Sequence, residues 1–268
     1  MWIDAHSHLD RYDLMEGRHL DAALAEIVQH RIFTVSNSMD LPSYKRNVDI
    51  GKTCGWVLPA FGVHPWNAPD YAGRLSDLNE AMERCLLIGE IGLDHHFVDD
   101  DSAYPAQRKV FEYFLAAARE RKKTVSLHTK GAEKDVLKLL NQYHVRRVIV
   151  HWYSGPLDIF REFASRGALF TVGIEALHSR HVRAIAEEIP SDRLLTETDN
   201  PGGPHGFLGE FGTPVLIKEI IRGLAEIRQT SAEDLARTVQ SNMAALVRED
   251  PRMAVLYGNV LEENSGPA

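Results

Sequence analysis

Histidine side chains lie close together at the N-terminus of this chain, beside an apolar segment. His6 and His8 are two residues apart and follow the apolar pair Trp2-Ile3. On a β-strand, residues i and i+2 point to the same face, so both imidazoles would converge on one point. Convergent imidazoles are typical ligands of a divalent metal. Since histidine pairs also occur by chance, the prediction of a metal site depends on further ligands elsewhere.

Strand-like and helix-like segments alternate along the chain and would position such ligands. Short apolar runs predict eight strands, at residues 2–8, 32–36, 57–63, 86–91, 124–128, 145–151, 167–172 and 193–198. Helical periodicity predicts helices between and after them, at residues 20–30, 44–52, 75–84, 106–121, 133–143, 157–165, 179–188, 214–228 and 232–247. This alternation predicts an α/β fold, a (β/α)8 TIM barrel in a single domain.

The barrel is assigned to residues 1–250, and residues 251–268 form a C-terminal extension. We expect the polar tail from Glu262 to fray. Ser76 is the expected N-cap of the helix at 75–84. An open doubly wound sheet is the structural alternative, but its nucleotide-binding form is weakened because no GxGxxG motif follows the first strand.

Candidate ligands recur where the predicted strands end. In a TIM barrel the reactive side chains lie at the carboxyl ends of the strands, because the loops there form the active site. Glu90 alone could cap a turn, and Asp199 precedes Asn200-Pro201, which favours a turn. The recurrence of such residues at successive strand ends nevertheless favours a metal site, and the candidates are His6, His8, His64, Glu90, His128, His151 and Asp199.

Composition excludes some classes of partner. The net charge is -8, from 30 basic and 38 acidic residues, and there is no basic run. This argues against binding along a nucleic-acid duplex, although bound divalent cations would still allow a phosphate substrate. Cys54 and Cys85 match no zinc or redox spacing, so we expect reduced thiols and a cytoplasmic protein. We expect neither a signal peptide nor a membrane span.

Six motifs occur in the order IDAHSHLD, FGVHPW, IGEIGLD, SLHTKG, VIVHWYSG and LLTETDNP, and SNMAALV follows near the C-terminus. Together they resemble the motifs of the TatD-type metal-dependent hydrolases. These are (β/α)8 barrels of the amidohydrolase superfamily, and many are described as deoxyribonucleases. The resemblance runs from about Ile3 to Val247, and the complete set of motifs is specific although no single motif is.

The resemblance implies a centre of two divalent ions, for which Zn, Mn or Mg are candidates, with Mg the least suited to so many histidines. Glu90 would bridge both ions. Asp199 would complete the first site and act as general base toward the attacking water. The remaining implied ligands are His6 and His8 for the first ion, and His128 and His151 for the second.

Five further residues have predicted supporting roles, most of them beside a structural alternative. Asp4 and Glu197 each lie two residues before a ligand, where they could orient a histidine or be buried structural acids. His64 could contact substrate or stabilise its own turn. Lys130 could neutralise a phosphate, and Asp94 could fix the geometry of its loop.

Three departures from the family pattern bear on the substrate. Lys130 stands where the family commonly has arginine, and Trp152-Tyr153 stands where it commonly has Cys-Phe. Residues 202–214 contain no lysine or arginine, so a loop that grips phosphate is missing. Like Trp66, the residues Trp152 and Tyr153 could stack on a base or pack at the barrel rim. The metal core is therefore better supported than DNA as the substrate.

Three functional hypotheses follow. The first is a metal-dependent hydrolase of phosphodiester or related ester bonds, acting on a small molecule or a nucleic-acid end. The second keeps the metals but cleaves a small amide, lactone or carboxyl ester. The third is a non-catalytic metal-binding interaction barrel. The sequence predicts no membrane partner and leaves the oligomeric state open.

Overall fold

Eight parallel strands follow one another in chain order around a single sheet. The computed structural model describes residues 1–262. The strands are β1 (Trp2–Ser7), β2 (Ile32–Ser36), β3 (Val57–Phe61), β4 (Leu87–Gly92), β5 (Thr124–His128), β6 (Val148–Val150), β7 (Leu169–Val172) and β8 (Leu194–Thr196).

The ring of strands closes where β1 meets β8. The backbone N–H of Asp199 donates to His6 O at 2.9 Å, and Thr196 Oγ1 donates to Ile3 O at 2.6 Å. These bonds join the first and last strands of a parallel sheet whose other pairs follow the chain, so the predicted (β/α)8 TIM barrel is confirmed.

Helices separate the strands along the chain. They are α1 (Leu20–His30), α2 (Leu41–Thr53), α3 (Ala68–Tyr71), α4 (Asn79–Arg84), α5 (Tyr104–Arg121), α6 (Glu133–Tyr143), α7 (Leu157–Ser165), α8 (Glu175–His178), α9 (Arg180–Glu188), α10 (His205–Leu208), α11 (Leu216–Ile227), α12 (Ala232–Arg248) and α13 (Pro251–Glu262).

Local capping explains where several of these helices begin. Asp40 Oδ1 accepts a hydrogen bond from the backbone of Ser43, whose hydroxyl accepts one from the backbone of Asp40, so α2 begins with a capping box. Ser231 caps α12 in the same sense. The predicted cap at Ser76 is wrong, because the chain enters α4 through a 3-10 turn, Leu75–Leu78, that contains this residue.

Some predicted elements differ from the observed ones. The sixth strand was predicted at 145–151, but only Val148–Val150 pairs with its neighbours, because Val145 belongs to the turn after α6. The single-turn helices α3, α8 and α10 were not predicted, since one turn is too short to show helical periodicity.

The last helix, α13, packs against the barrel from residues that were assigned to the extension. Met253 and Leu261 are buried, and Tyr257 Oη donates to Val57 O at 3.0 Å. The division at residue 250 stays a prediction. Fraying was expected from Glu262, which is the last residue of α13, and the rest of that tail, residues 263–268, lies outside the described part. No helix within residues 1–262 has the length and apolar composition of a membrane span.

Strand alternation brings polar side chains into the barrel. In β1, Ile3 and Ala5 join the hydrophobic core, whereas Asp4 and His6 face the interior, and all four are buried. Burying charged groups is costly unless they are paired or bind a metal. The interior of the barrel is therefore the place where the candidate ligands must be accounted for.

Candidate metal centre

The predicted ligands come together at the mouth of the barrel, where the carboxyl ends of the strands meet. Ligand atoms lie within 4.8 Å of one another in each of three groups. The groups are His6, His8 and Glu90; His6, His151 and Asp199; and His64, Glu90 and His128. Small-molecule sites commonly measure about 300–1,000 Å³, and the cavity above these groups measures ≈ 630 Å³.

The buried carboxylate of Glu90 stands between two sets of imidazoles. Its Oε2 lies 3.3 Å from His6 Nε2 and 3.4 Å from His8 Nε2. Its Oε1 lies 2.8 Å from His128 Nδ1, 3.6 Å from His64 Nε2 and 3.8 Å from His151 Nε2. The two oxygens thus face different sets of histidines.

Two more predicted residues complete these sets. Asp199 Oδ1 lies 3.4 Å from His8 Nε2 and 3.9 Å from His6 Nε2, on the same side as Glu90 Oε2. His64 Nε2 lies 3.3 Å from His128 Nδ1. We predicted a substrate contact or a turn for His64. The structure gives it a ligand-type position, and its Nδ1 also accepts from the backbone N–H of Trp66.

A glycine allows Asp199 to reach the mouth. Asp199 adopts a left-handed backbone conformation, with φ of 52°. A Cβ on Gly203 would lie only 2.4 Å from Asp199 Oδ2 and 2.8 Å from the Trp152 ring. Only glycine fits at position 203 without moving the carboxylate.

Electrostatics around Glu90 are dominated by burial and by the imidazoles. Burial alone would raise the pKa of Glu90, but His64, His6 and His128 hold that pKa well below its usual range. Burial likewise disfavours a charge on His8, yet Glu90 and Asp199 raise its pKa to about 9. Glu90 and Asp199 therefore favour a positive charge beside them.

The donor set fits a divalent cation. His6 Nε2 is buried and forms no hydrogen bond within the described part of the chain; it lies 3.3 Å from Glu90 Oε2, in an orientation that makes none. A buried nitrogen without a partner, beside a carboxylate that demands positive charge, is what a metal ligand would be. Imidazole nitrogens mixed with carboxylate oxygens suit Zn or Mn better than Mg.

Two buried acids lie behind the ligands, and their contacts differ. Glu197 Oε2 lies 2.6 Å from His151 Nδ1 and accepts a hydrogen bond from Thr171, while burial raises the pKa of Glu197 to about 7. Asp4 accepts hydrogen bonds from the backbone and hydroxyl of Thr198, at 2.9 and 2.6 Å. Burial raises the pKa of Asp4 to about 7, although these hydrogen bonds act to lower it. Glu197 thus touches an imidazole, whereas Asp4 braces β8.

Asp94 has a larger part in the site than the sequence indicated. We predicted that it fixes its loop, and its Oδ1 accepts from the backbone of His96 and Phe97, at 2.9 and 2.7 Å. Its Oδ2 also lies 2.9 Å from His128 Nε2 and accepts from Trp66 Nε1 at 2.7 Å. Burial disfavours the charged form of Asp94, yet the contact with His128 lowers the pKa of Asp94. Asp94 and Glu90 therefore hold the His128 ring from both sides.

Gln107 was missed altogether. From α5, its amide donates to Asp94 O at 3.1 Å and accepts from Asp94 N at 2.9 Å. No pattern in the sequence indicates this contact, because Gln107 belongs to an otherwise ordinary amphipathic helix.

Lys130 lies beside the candidate ligands, but its ammonium group is hydrogen-bonded to other groups of the protein. Its Nζ donates to Trp152 O at 2.7 Å and to Ser154 Oγ at 2.8 Å, and burial lowers its pKa. Of the three rim aromatics considered from the sequence, Trp66 is 51% exposed and Trp152 lines the cavity. Tyr153 is buried against Phe160 in the core.

Known proteins with similar sequences are metal-dependent hydrolases. The chain is 30% identical over 258 residues to the "Uncharacterized metal-dependent hydrolase YabD" of Bacillus subtilis (strain 168), covering 92% of this chain and 99% of that protein. It is 24% identical over 260 residues to the human "Deoxyribonuclease TATDN3", covering 91% of this chain and 93% of that protein. These relatives place the chain in the class of metal-dependent hydrolases.

The family can be stated more narrowly. The sequence profile described as "TatD related DNase" matches residues 3–248, so the chain belongs to the TatD family. The crystal structure of the TatD homologue YjjV from Escherichia coli K12 has the same fold, with a TM-score of 0.81 at 24% identity. The aligned region covers 91% of this chain and 97% of the YjjV chain. The resemblance found in the motifs is therefore confirmed.

Proposed function

We propose that this protein hydrolyses a phosphodiester or a related ester with two divalent metal ions. The observation that carries the proposal is the position of Glu90, whose two carboxylate oxygens face different sets of histidines. A bridging carboxylate between two ions has this arrangement. Its proposed partners are His6, His8 and Asp199 for one ion, and His128 and His151 for the other.

The remaining residues have distinct roles in the proposed reaction. The ions would lower the pKa of a water molecule and neutralise charge on the ester. Asp199 accepts the proton of the attacking water, because its side chain is 20% exposed in the cavity whereas that of Glu90 is 2% exposed. Glu197 and Asp94 hold the rings of His151 and His128 in orientation through their second nitrogens.

Relatives favour an ester of phosphate over other bonds. The family description names a DNase, and the human relative is named a deoxyribonuclease. The absence of lysine and arginine from residues 202–214 favours a second candidate, an amide, lactone or carboxyl-ester hydrolase. Since the ligand groups are intact, a non-catalytic interaction barrel has the least support.

A metal and substrate panel tests the proposal. The purified protein is stripped with a chelator, reloaded with Zn, Mn or Mg, and assayed on bis(p-nitrophenyl) phosphate, short single-stranded DNA, lactones and acyl amides. We expect phosphodiester hydrolysis that requires added metal and is lost in Asp199→Asn. Activity on lactones or amides alone would support the second candidate. No bound metal and no restored activity would contradict both.

A further inference from the structure

Aromatic side chains line the cavity above the candidate metal centre from two sides of the rim. Trp66, after β3, and Phe97, after β4, are 51% and 59% exposed, and their ring centroids are 6.3 Å apart. Trp152, after β6, and Phe207, in α10 after β8, have centroids 6.0 Å apart. All four residues line the same cavity. Exposed aromatic clusters of this kind mark binding surfaces.

The two tryptophan rings are held at their polar edges. Trp66 Nε1 donates to Asp94 Oδ2 at 2.7 Å, and its ring meets that of His64 edge-on, with centroids 4.7 Å apart. Trp152 Nε1 donates to Glu175 Oε2. Because both indole N–H groups already have partners, the exposed ring of Trp66 offers carbon surfaces to a ligand, whereas Trp152, at 9% exposure, forms part of the cavity wall. Such surfaces suit a planar apolar group.

Cationic side chains are few around this cavity. Among its lining residues, Lys130 and Arg11 are the only lysine or arginine. Lys130 Nζ is committed to Trp152 O and Ser154 Oγ, and the Arg11 guanidinium contacts Met39 Sδ. Proteins that track a nucleic-acid strand combine stacking with a positively charged groove that follows the phosphates. Here the stacking surface is present without that groove.

We propose that the cavity binds a compact phosphoester with one phosphoryl group and one planar aromatic or heterocyclic substituent, and that Trp66 and Phe207 hold the substituent. This inference rests on the proposed hydrolase function, which supplies the site for the phosphoryl group at the candidate metal centre. The aromatic residues of the rim favour a ligand with a planar substituent. Because lysine and arginine are few, further phosphates of a nucleic-acid strand have no binding partner.

Binding of phosphonates tests the inference without turnover, because their carbon–phosphorus bond is not an ester. Calorimetric titration of the metal-loaded protein compares phenylphosphonate with methylphosphonate. We expect phenylphosphonate to bind about ten-fold more tightly, within the range found for aromatic stacking. Equal affinities for the two phosphonates would overturn the inference.

Matched variants test whether the aromatic residues of the cavity rim cause the preference for phenylphosphonate. Trp66→Phe and Trp66→Leu both remove the hydrogen bond to Asp94 Oδ2, but only the leucine variant removes the aromatic ring. We expect the preference for phenylphosphonate to persist in Trp66→Phe and to shrink in Trp66→Leu and Phe207→Leu. An undiminished preference in both leucine variants would overturn the assignment.

Chain length separates this inference from the proposed function. With thymidine oligonucleotides, we expect kcat/KM per strand end to stay level from the dinucleotide to the octanucleotide. A rise of about ten-fold or more would show that the protein grips a strand, which overturns the inference and leaves the hydrolase function standing. Preferred binding of phenylphosphonate by a protein that hydrolyses no ester would contradict the hydrolase function and support the binding site.

Discussion

Glu90 meets two sets of imidazoles through its two oxygens, and this single side chain faces all five candidate histidine ligands. Its carboxylate is buried, so its charge must be balanced locally. The neighbouring carboxylate of Asp199 is more exposed and reaches the cavity. At the residue scale, one acid therefore organises the centre and the other is available to a substrate.

Gly203 gives a prediction for the position of Asp199. Gly203→Ala would place a methyl group against the Asp199 carboxylate, whereas Gly202→Ala would meet nothing within 4 Å. Since misplacing a reacting group by about 1 Å costs roughly 100-fold, we expect kcat/KM to fall about 10- to 100-fold in Gly203→Ala. Steady-state kinetics of both variants check this, and equal losses would show that crowding of Asp199 is not the cause.

Asp94 gives a second prediction at this scale. Asp94→Asn removes the charge that faces His128, so we expect metal affinity to fall about 10- to 100-fold. Asp100→Asn is the control, because Asp100 accepts a backbone hydrogen bond from Ser102 in the same segment but is remote from the ligands. Titration against a chromophoric chelator measures both. An affinity unchanged in Asp94→Asn would contradict the orienting role.

The sequence was informative about ligand types and less so about their supports. Each histidine or acid at a strand end could be predicted, because strand ends converge in a barrel. The contact of Asp94 with His128 could not, since it depends on how the loop after β4 folds back. Gln107 reaches this loop from α5, the next helix along the chain, where nothing distinguishes it from an ordinary helix residue.

At the scale of elements, hydrogen bonds at the end of a helix also stabilise the barrel. Lys123 Nζ donates to Met82 O, to Glu83 O at 3.0 Å and to Cys85 O at 2.7 Å. These carbonyls belong to the end of α4 and the residue after it, where helical partners are lacking. One buried ammonium thus ties the end of α4 to the start of β5.

Lys123→Met tests this tie. It would leave buried carbonyls without donors, so we expect the free energy of unfolding to fall by about 1–3 kcal/mol. Lys122→Met is the matched control, because the neighbouring Lys122 is exposed. Urea denaturation of the metal-loaded proteins measures both changes. A loss in Lys122→Met as large as that in Lys123→Met would contradict the capping role.

Long periodic elements were predictable and short ones were not. Periodicity gave α1, α6 and α7 at their observed bounds, and β2 and β5 likewise. The loop that carries α10 adopts its form through contacts rather than pattern: the side chain of Asn200 donates to Thr213 O at 2.6 Å. Such contacts join residues that a sequence pattern does not relate.

At the scale of the whole molecule, the closed sheet brings the candidate metal ligands together from strands around the barrel. Its candidate ligands come from β1, β4 and β5 and from segments after β3, β6 and β8. An ion bound at this point would therefore connect parts of the barrel that are distant in sequence. The alternation of strands and helices predicted a parallel sheet, and eight strands in this pattern favoured a closed barrel over an open doubly wound sheet.

Metal removal should accordingly lower the stability of the whole barrel. A metal present at about 100 times its Kd stabilises the native state by roughly 2.7 kcal/mol per site. For a chain of this size, we expect the Tm to fall by about 5–10 °C for each site that chelation empties. Differential scanning calorimetry with and without added Zn checks this, and an unchanged Tm would contradict metal binding by the folded barrel.

The bridging position of Glu90 is tested most directly by metal content measured by plasma mass spectrometry. We expect about two ions per chain in the wild type, about one in His6→Ala and close to none in Glu90→Ala. Circular dichroism establishes that each variant is folded, and Glu90→Gln repeats the test with a near-isosteric side chain. Equal metal loss in the His6 and Glu90 variants would contradict the account.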